Sequence, residues 1–117
     1  MIKRKDTLFR EVKARVRDGV GEVEFLHLLT EEETGGRASL FARVTLEPGR
    51  SIGVHDHVTN AEAYVLLQGS AVILEDGGEH PMKPWDVEFC ADGHTHGIRN
   101  DSGENAVLLA LILPNRS

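Results

Sequence analysis

The sequence predicts an all-β protein, an antiparallel barrel or sandwich, and three observations support this. Apolar and polar residues alternate along several short stretches, as expected of strands that bury one face. Glycine and proline separate these stretches at short intervals, which is typical of tight turns between antiparallel strands. No helical period interrupts the alternation. The length of 117 residues suits a single domain with one core.

Residues 1–21 are predicted to form a short N-terminal extension that lies on the barrel. Five apolar residues here have a spacing that permits a short amphipathic helix: Leu8, Phe9, Val12, Val16 and Val20. Gly19 and Gly21 interrupt that pattern. Strand-like alternation begins at Glu22, so we expect the barrel itself over residues 22–117.

Residues 40–46 read as a longer strand with sizeable side chains on both faces. Leu40, Ala42, Val44 and Leu46 occupy one face, and Phe41, Arg43 and Thr45 the other. Arg43 is a candidate for holding a substrate carboxylate at a barrel mouth, because its planar donors fit a carboxylate in bidentate fashion. The alternative is that Arg43 lies on the solvent face and pairs with an acidic residue.

The stretch from Gly49 to Gly69 carries three candidate metal donors within eight residues. His55 and His57 are two apart, so both imidazoles project from one face of an extended strand. Glu62 follows a short polar stretch that can turn the chain and bring a second strand back beside the first. Two imidazoles and a carboxylate are the ligands expected for a divalent transition metal with open coordination positions.

A second histidine pair strengthens this interpretation. One such pair alone is more often two surface histidines, but His94 and His96 repeat the spacing, so four of the six histidines fall in two pairs. Glu62 shares its strand face with Tyr64, which we therefore place on the pocket side. The tyrosine can hydrogen-bond a bound substrate or plug the pocket with its ring, and the sequence leaves both roles open.

Further strands follow Gly69. Residues 71–75 end at Asp76, Gly77 and Gly78, which is a strong hairpin signal. Residues 87–91 alternate again, and we interpret Cys90 as a packing residue because no activating base can be assigned to it. Residues 106–113 are apolar on both faces, so both faces should be covered. A second copy of the chain is the simplest outer cover, which predicts a homodimer.

The histidine-rich stretch resembles the first motif of the cupin superfamily, G-x5-H-x-H-x4-E-x6-G. The motif positions are Gly49, His55, His57, Glu62 and Gly69. The second cupin motif, G-x5-P-x-G-x2-H-x3-N, is matched in part, by Gly93, His96 and Asn100. Trp85 and Ala91 stand where this motif has its first glycine and its proline. The resemblance covers roughly residues 40 to 113, which is most of the chain.

The resemblance implies a single-domain cupin, a double-stranded β-helix or jelly-roll barrel, whose N-terminal extension pairs with a second subunit. It also implies four metal ligands: His55, His57, Glu62 and His96. His94 shares a face with His96, so geometry leaves it open as an additional or alternative ligand.

Three imidazoles and a carboxylate leave two of six octahedral positions for water or substrate. This ligand set does not choose among Mn, Fe, Ni, Co and Zn. Cupins with these ligands include oxalate-degrading enzymes, dioxygenases and sugar-phosphate isomerases. We therefore expect a metal-dependent enzyme that acts on a small carboxylate or a keto or enediol compound, with Tyr64 or Arg43 orienting the substrate. The alternative is a module that binds or senses a small ligand without catalysis.

Composition argues against several other classes of function. The net charge is −6 and no long basic run occurs, so nucleic acid and anionic membrane are poor partners. No apolar run has the length of a membrane span. The single cysteine cannot form an internal disulfide, which makes a cytoplasmic location the default expectation.

Overall fold

The computed structural model describes residues 1–115, which form ten strands and two short 3₁₀ segments, Lys5–Thr7 and Val16–Asp18. The strands are β1 (Phe9–Ala14), β2 (Glu22–Leu29), β3 (Leu40–Leu46), β4 (Ser51–Asp56), β5 (Asn60–Gln68), β6 (Ala71–Glu75), β7 (Gly78–Met82), β8 (Val87–Cys90), β9 (Thr95–Arg99) and β10 (Ala106–Pro114). Neither helical segment in this part of the chain has the length and hydropathy needed to cross a membrane.

The strands form two antiparallel sheets that enclose one apolar core. The larger sheet has six strands in the order β1-β2-β3-β10-β5-β8, and the smaller has four in the order β4-β9-β6-β7. Both sheets contribute fully buried residues to the core, among them Val23, Leu66 and Leu108 from the first and Ile73 and Ile98 from the second. The predicted all-β jelly-roll barrel is confirmed.

Alternation along the central strands decides which side chains enter the barrel. On β3, Ala42 and Val44 are buried in the core, whereas Arg43 lies between them on the opposite face of the strand. On β10, Leu108 and Ala110 are buried in the same way. Arg43 pairs in register with Leu109 and therefore lies on the outer face of the six-stranded sheet.

The N-terminal segment forms a strand, although its apolar spacing is also compatible with a helix. Strand β1 pairs with β2 from Phe9 opposite His27 to Ala14 opposite Glu22. This pairing satisfies the backbone groups of one edge of β2, which a helix would leave without partners. The apolar spacing permitted a helix without establishing one, and pairing with the edge of the neighbouring strand β2 gives this segment its extended structure.

Gly69 turns the chain from β5 into β6 at a point where only glycine fits. Its φ angle is +82°, in the left-handed region. A Cβ atom at this position would lie 2.3 Å from the carbonyl oxygen of Asn105, in the loop before β10. The glycine that closes the first histidine-rich stretch is thus required by the packing of two loops.

Candidate metal centre

Three strands bring four potential metal ligands to one point between the sheets. On β4 and β9, which are neighbours, His55 lies opposite His96 in register. His57 follows the last residue of β4, and Glu62 reaches the same point from β5 in the other sheet. Each of the four side chains offers one ligand atom, and these atoms all lie within 4.8 Å of one another.

The distances within this cluster are short. Glu62 Oε1 lies 3.0 Å from His96 Nε2, 3.1 Å from His57 Nε2 and 3.6 Å from His55 Nε2. The Nε2 atoms of His57 and His96 are themselves 3.1 Å apart. The side chains of all four residues are at least nine-tenths buried. The cluster is therefore a buried, compact set of donor atoms.

The Nδ1 atom of each imidazole points away from the cluster and contacts an oxygen atom that can only accept a hydrogen bond. These acceptors differ in kind: the Gly53 carbonyl for His55 at 2.7 Å, the Asn60 Oδ1 for His57 at 2.6 Å, and the Glu88 carboxylate for His96 at 2.9 Å. Each Nδ1 therefore donates a hydrogen bond outward, and each Nε2 is directed into the cluster, where its lone pair can bind a metal ion.

This arrangement fits a divalent metal ion. Two nitrogen lone pairs 3.1 Å apart and a carboxylate oxygen repel one another unless a positive charge lies among them. Neutral imidazoles fixed in one tautomer by outer acceptors, together with one carboxylate, are typical ligands of Mn, Fe, Co, Ni and Zn. The cluster can bind such a metal, and its donor types do not select one.

The pKa values of Glu62 and His96 reflect how closely the side chains of the cluster lie to one another. Burial raises the pKa of Glu62, but contacts with the imidazoles of His55 and His96 outweigh it and bring the pKa down to about 2. For His96, burial lowers the pKa, but hydrogen bonds to the Glu62 and Glu88 carboxylates outweigh it and raise the pKa to about 9. Without a metal, the centre therefore favours a proton on His96 opposite an ionised Glu62.

Tyr64 lies beside the cluster as a packing group. It is 1% exposed, and its ring stacks on that of His96 with centroids 4.7 Å apart and planes 8° from parallel. Burial raises its pKa well above 10, and the charge of Glu62 adds to this. Of the two roles that the sequence left open, the geometry favours the one in which the ring fills the barrel beside a ligand.

Two other candidate residues do not reach the cluster. Arg43 lies on the outer face of the six-stranded sheet, and its Nε is buried there without a hydrogen-bond partner among the described residues. His94 is exposed and precedes β9, so it does not share the strand alternation of His96. Its backbone carbonyl accepts a hydrogen bond from the His57 N–H at 3.0 Å, which joins the two histidine-bearing segments through the main chain.

Two polar residues that the sequence did not single out hold the histidines in place. Asn60 lies three positions after His57, close enough for its side-chain oxygen to accept a hydrogen bond from His57 Nδ1. Glu88 lies on β8 opposite Tyr64 and is 8% exposed. The sequence indicated only that Glu88 shares a strand face with Cys90. Cys90 is itself buried, and burial raises its pKa to about 11, as expected of a packing thiol.

A cavity of about 390 Å³ lies between the β6–β7 hairpin and β8. Glu75 and Glu88 line it together with Asp86 and His80. Glu75 pairs in register with His96 across β6 and β9. Glu88 therefore separates this cavity from the histidine cluster.

Comparison with protein families and known proteins gives consistent results. The Cupin_2 family model, described as a cupin domain, matches residues 42–112. An oxalate-binding protein of Thermotoga maritima is 38% identical over 113 residues, which cover 97% of this chain and 93% of that protein.

Solved structures are similar over nearly the whole chain. A structure from Thermotoga maritima described as a predicted oxalate decarboxylase superposes with a TM-score of 0.92 at 38% identity, covering 97% of this chain and 99% of the other. A sugar phosphate isomerase from Silicibacter pomeroyi superposes with a TM-score of 0.75 at 26% identity, covering 96% of this chain and 73% of the other.

Proposed function

Because the chain belongs to the Cupin_2 family, we propose that it holds a divalent metal ion and uses it to bind a small carboxylate of the oxalate type. The observation that carries this proposal is the convergence of three imidazole Nε2 atoms and the Glu62 carboxylate on one buried point. The ligands are His55, His57, Glu62 and His96. The names of the relatives from Thermotoga maritima support the class of ligand.

The chain's own residues prepare the site. Outer hydrogen bonds fix the three tautomers, so the Nε2 lone pairs are available without rearrangement. The Tyr64 ring and the barrel core exclude water on the inner side. When bound, the metal supplies Lewis acidity and open coordination positions for carboxylate or keto oxygens.

Metal content is the first test. We expect about one ion per chain by plasma mass spectrometry of protein prepared without a histidine tag, and none in His57→Ala. The metal found among Mn, Fe, Ni, Co and Zn would then direct the search for chemistry. Retention of the ion in His57→Ala, or its absence from wild-type protein even after reconstitution, would contradict the proposed site.

We favour a metal-dependent enzyme acting on a small carboxylate or keto compound as the role of this site. Incubation of the metal-loaded protein with oxalate should release carbon dioxide and formate if the reaction is a decarboxylation. The same assay on metal-free protein is the control, because turnover without metal would exclude the mechanism.

Binding without conversion is the second candidate, and one observation favours it. Of the two residues expected to act on a substrate, Arg43 lies on the outer face and Tyr64 is fully buried against His96. A binding module would show oxalate-dependent thermal stabilisation of the metal-loaded protein without product formation. Product formation at a rate that depends on the metal would show instead that the protein is an enzyme.

A homodimer is proposed from the outer face of the six-stranded sheet. Val87 and Phe89 on β8 are more than half exposed there, next to half-buried Val65 and Leu109. The buried, unpartnered Nε of Arg43 lies on the same face. A second copy of the chain supplies an apolar surface of matching kind. The N-terminal extension, residues 1–21, borders this face through β1 and is proposed to contribute to the same contact.

A further inference from the structure

We infer that Glu88 is a positioning residue of the metal centre, which holds His96 through a charged hydrogen bond and sets how tightly this centre binds its ion. The inference rests on the proposed metal site. It adds to that site a buried carboxylate that is not one of the four proposed ligands.

The contact is direct and uses both oxygens of the carboxylate. Glu88 Oε1 lies 2.9 Å and Oε2 3.1 Å from His96 Nδ1. His96 is fully buried and Glu88 is 8% exposed, so little water screens the pair. A carboxylate that accepts the outer N–H of a ligating imidazole fixes the ring orientation and makes the inner nitrogen a stronger donor.

Glu88 differs from the acceptors of the other two histidines because it alone carries a charge. His55 is held by the carbonyl of Gly53 and His57 by the amide of Asn60, both neutral groups. Charge-assisted hydrogen bonds are roughly twice as strong as neutral ones. Among the three imidazoles, His96 is therefore the ligand whose donor strength depends most on a single side chain.

Strand register and a neighbouring cavity define the surroundings of this carboxylate. The register of β8 against β5 sets Glu88 opposite Tyr64, and the Tyr64 ring stacks on His96. Glu88 also lines the cavity of about 390 Å³ that Glu75 shares. Glu75 lies on β6 opposite His96 but makes no hydrogen bond to any histidine of the cluster within residues 1–115. Glu75 thus offers a second carboxylate in the same cavity that lacks the hydrogen bond to His96, although burial and the neighbouring Glu88 carboxylate raise the pKa of Glu75.

The test measures zinc affinity by competition with a chromophoric chelator at constant pH. We expect Glu88→Leu to raise the Kd for Zn²⁺ by about 10–100-fold. Glu88→Gln keeps an acceptor oxygen without the charge and should give an intermediate Kd, while Glu75→Gln should stay within about twofold of wild type. Circular dichroism and thermal melts of each variant establish that the barrel is folded.

An imidazole ¹⁵N correlation spectrum of the zinc-loaded protein gives a second readout. The Nδ1 proton of His96 should lie far downfield in wild type and in Glu75→Gln, and should move upfield in Glu88→Gln.

The inference is overturned if wild type binds Zn²⁺ and a folded Glu88→Leu variant binds it equally well. It is also overturned if Glu75→Gln weakens binding as much as Glu88→Gln, because a general field in the cavity would then explain the effect. Failure of wild type to bind any metal would instead overturn the proposed metal site itself, and the two failures are thereby distinguished.

Discussion

His96 occupies the most highly charged surroundings of the three imidazoles in the cluster. Its two nitrogens face two carboxylates, Glu62 on the inner side and Glu88 on the outer side. In metal-free protein these contacts stabilise the protonated ring and the ionised Glu62 together. Protons and metal ions therefore compete for the same place.

The first prediction concerns how the stability of metal-free protein depends on pH. Because the pKa of His96 is raised from 6.5 to about 9, its contribution is fully present below pH 6.5 and is lost as pH rises to about 9. Because the pKa of Glu62 is lowered from 4.5 to about 2, its contribution is present above pH 4.5 and is lost as pH falls toward 2. Calorimetric melting of metal-free protein should show Tm falling between pH 6.5 and 9.

His96→Gln provides the control for this prediction, since it removes the titrating ring and should flatten the alkaline part of the profile. An unchanged alkaline slope in His96→Gln would show that another group is responsible.

At the scale of residues, the sequence singled out the four side chains that the structure brings together, but not the groups that hydrogen-bond to them. The spacing of His55, His57 and Glu62 indicated three donors, and the resemblance to the cupin motifs implied His96 as the fourth. Glu88 was missed because its role depends on the register of β8 against β5, which no local pattern contains. The side on which Arg43 lies depends in the same way on which face of β3 meets the core.

At the scale of elements, the turns hold the strands that carry the histidines. The Asp92 carboxylate accepts hydrogen bonds from the Thr59 N–H and the Asn115 side chain, both at 2.8 Å. The Gly93 N–H donates to the His57 carbonyl at 2.7 Å. These bonds tie the turn after β4 to the turn before β9. The two histidine pairs are therefore held by one connected group of turns.

The second prediction compares two glycines of the first histidine-rich stretch. Gly49 and Gly69 both have φ of +82°, but a Cβ at Gly49 would meet nothing within 4 Å, whereas one at Gly69 would lie 2.3 Å from the Asn105 carbonyl oxygen. Gly49→Ala should cost about 1–2 kcal/mol of unfolding free energy for the left-handed backbone alone. Gly69→Ala should cost clearly more, because the loop before β10 must also move. Urea unfolding measures both, and equal losses would show that the predicted clash is relieved at little cost.

The sequence predicted most strands correctly and left the secondary structure of the N-terminal segment open for a physical reason. Strands β3, β6 and β10 alternate or are bounded by turn residues, so local pattern and structure agree. Strand β1 leaves Phe9 and Val12 exposed, so burial does not impose a period of two on it. Its structure comes from hydrogen bonds to β2, and the residue pattern of one segment does not reveal which strand it will pair with.

At the scale of the whole molecule, the two sheets differ in what they present outward. The six-stranded sheet carries Val87 and Phe89 on its outer face, together with the half-buried side chains of β10. A face of this composition is typical of surfaces that another protein covers. Association of two chains through the outer face of this sheet would bury this apolar area.

The third prediction tests the homodimer through Phe89, which is 54% exposed on β8. Phe89→Glu should convert a dimer to a monomer in light scattering at micromolar concentration, because each subunit would bury an unpaired charge. Val54→Glu is the matched control, since Val54 is similarly exposed, at 57%, but lies on β4 in the four-stranded sheet. Wild-type protein that is monomeric at this concentration would refute the dimer.

The position of the cluster between the sheets also determines how long an ion would stay. Glu62 belongs to the six-stranded sheet, while His55 and His96 belong to the four-stranded sheet, and none of these side chains is more than 7% exposed. A small carboxylate needs only an open coordination position on the ion, but removal of the ion requires ligands from both sheets to move apart. The residence time of the ion is then set by the opening rate of the barrel. Metal loss would become independent of chelator concentration once the chelator is in excess.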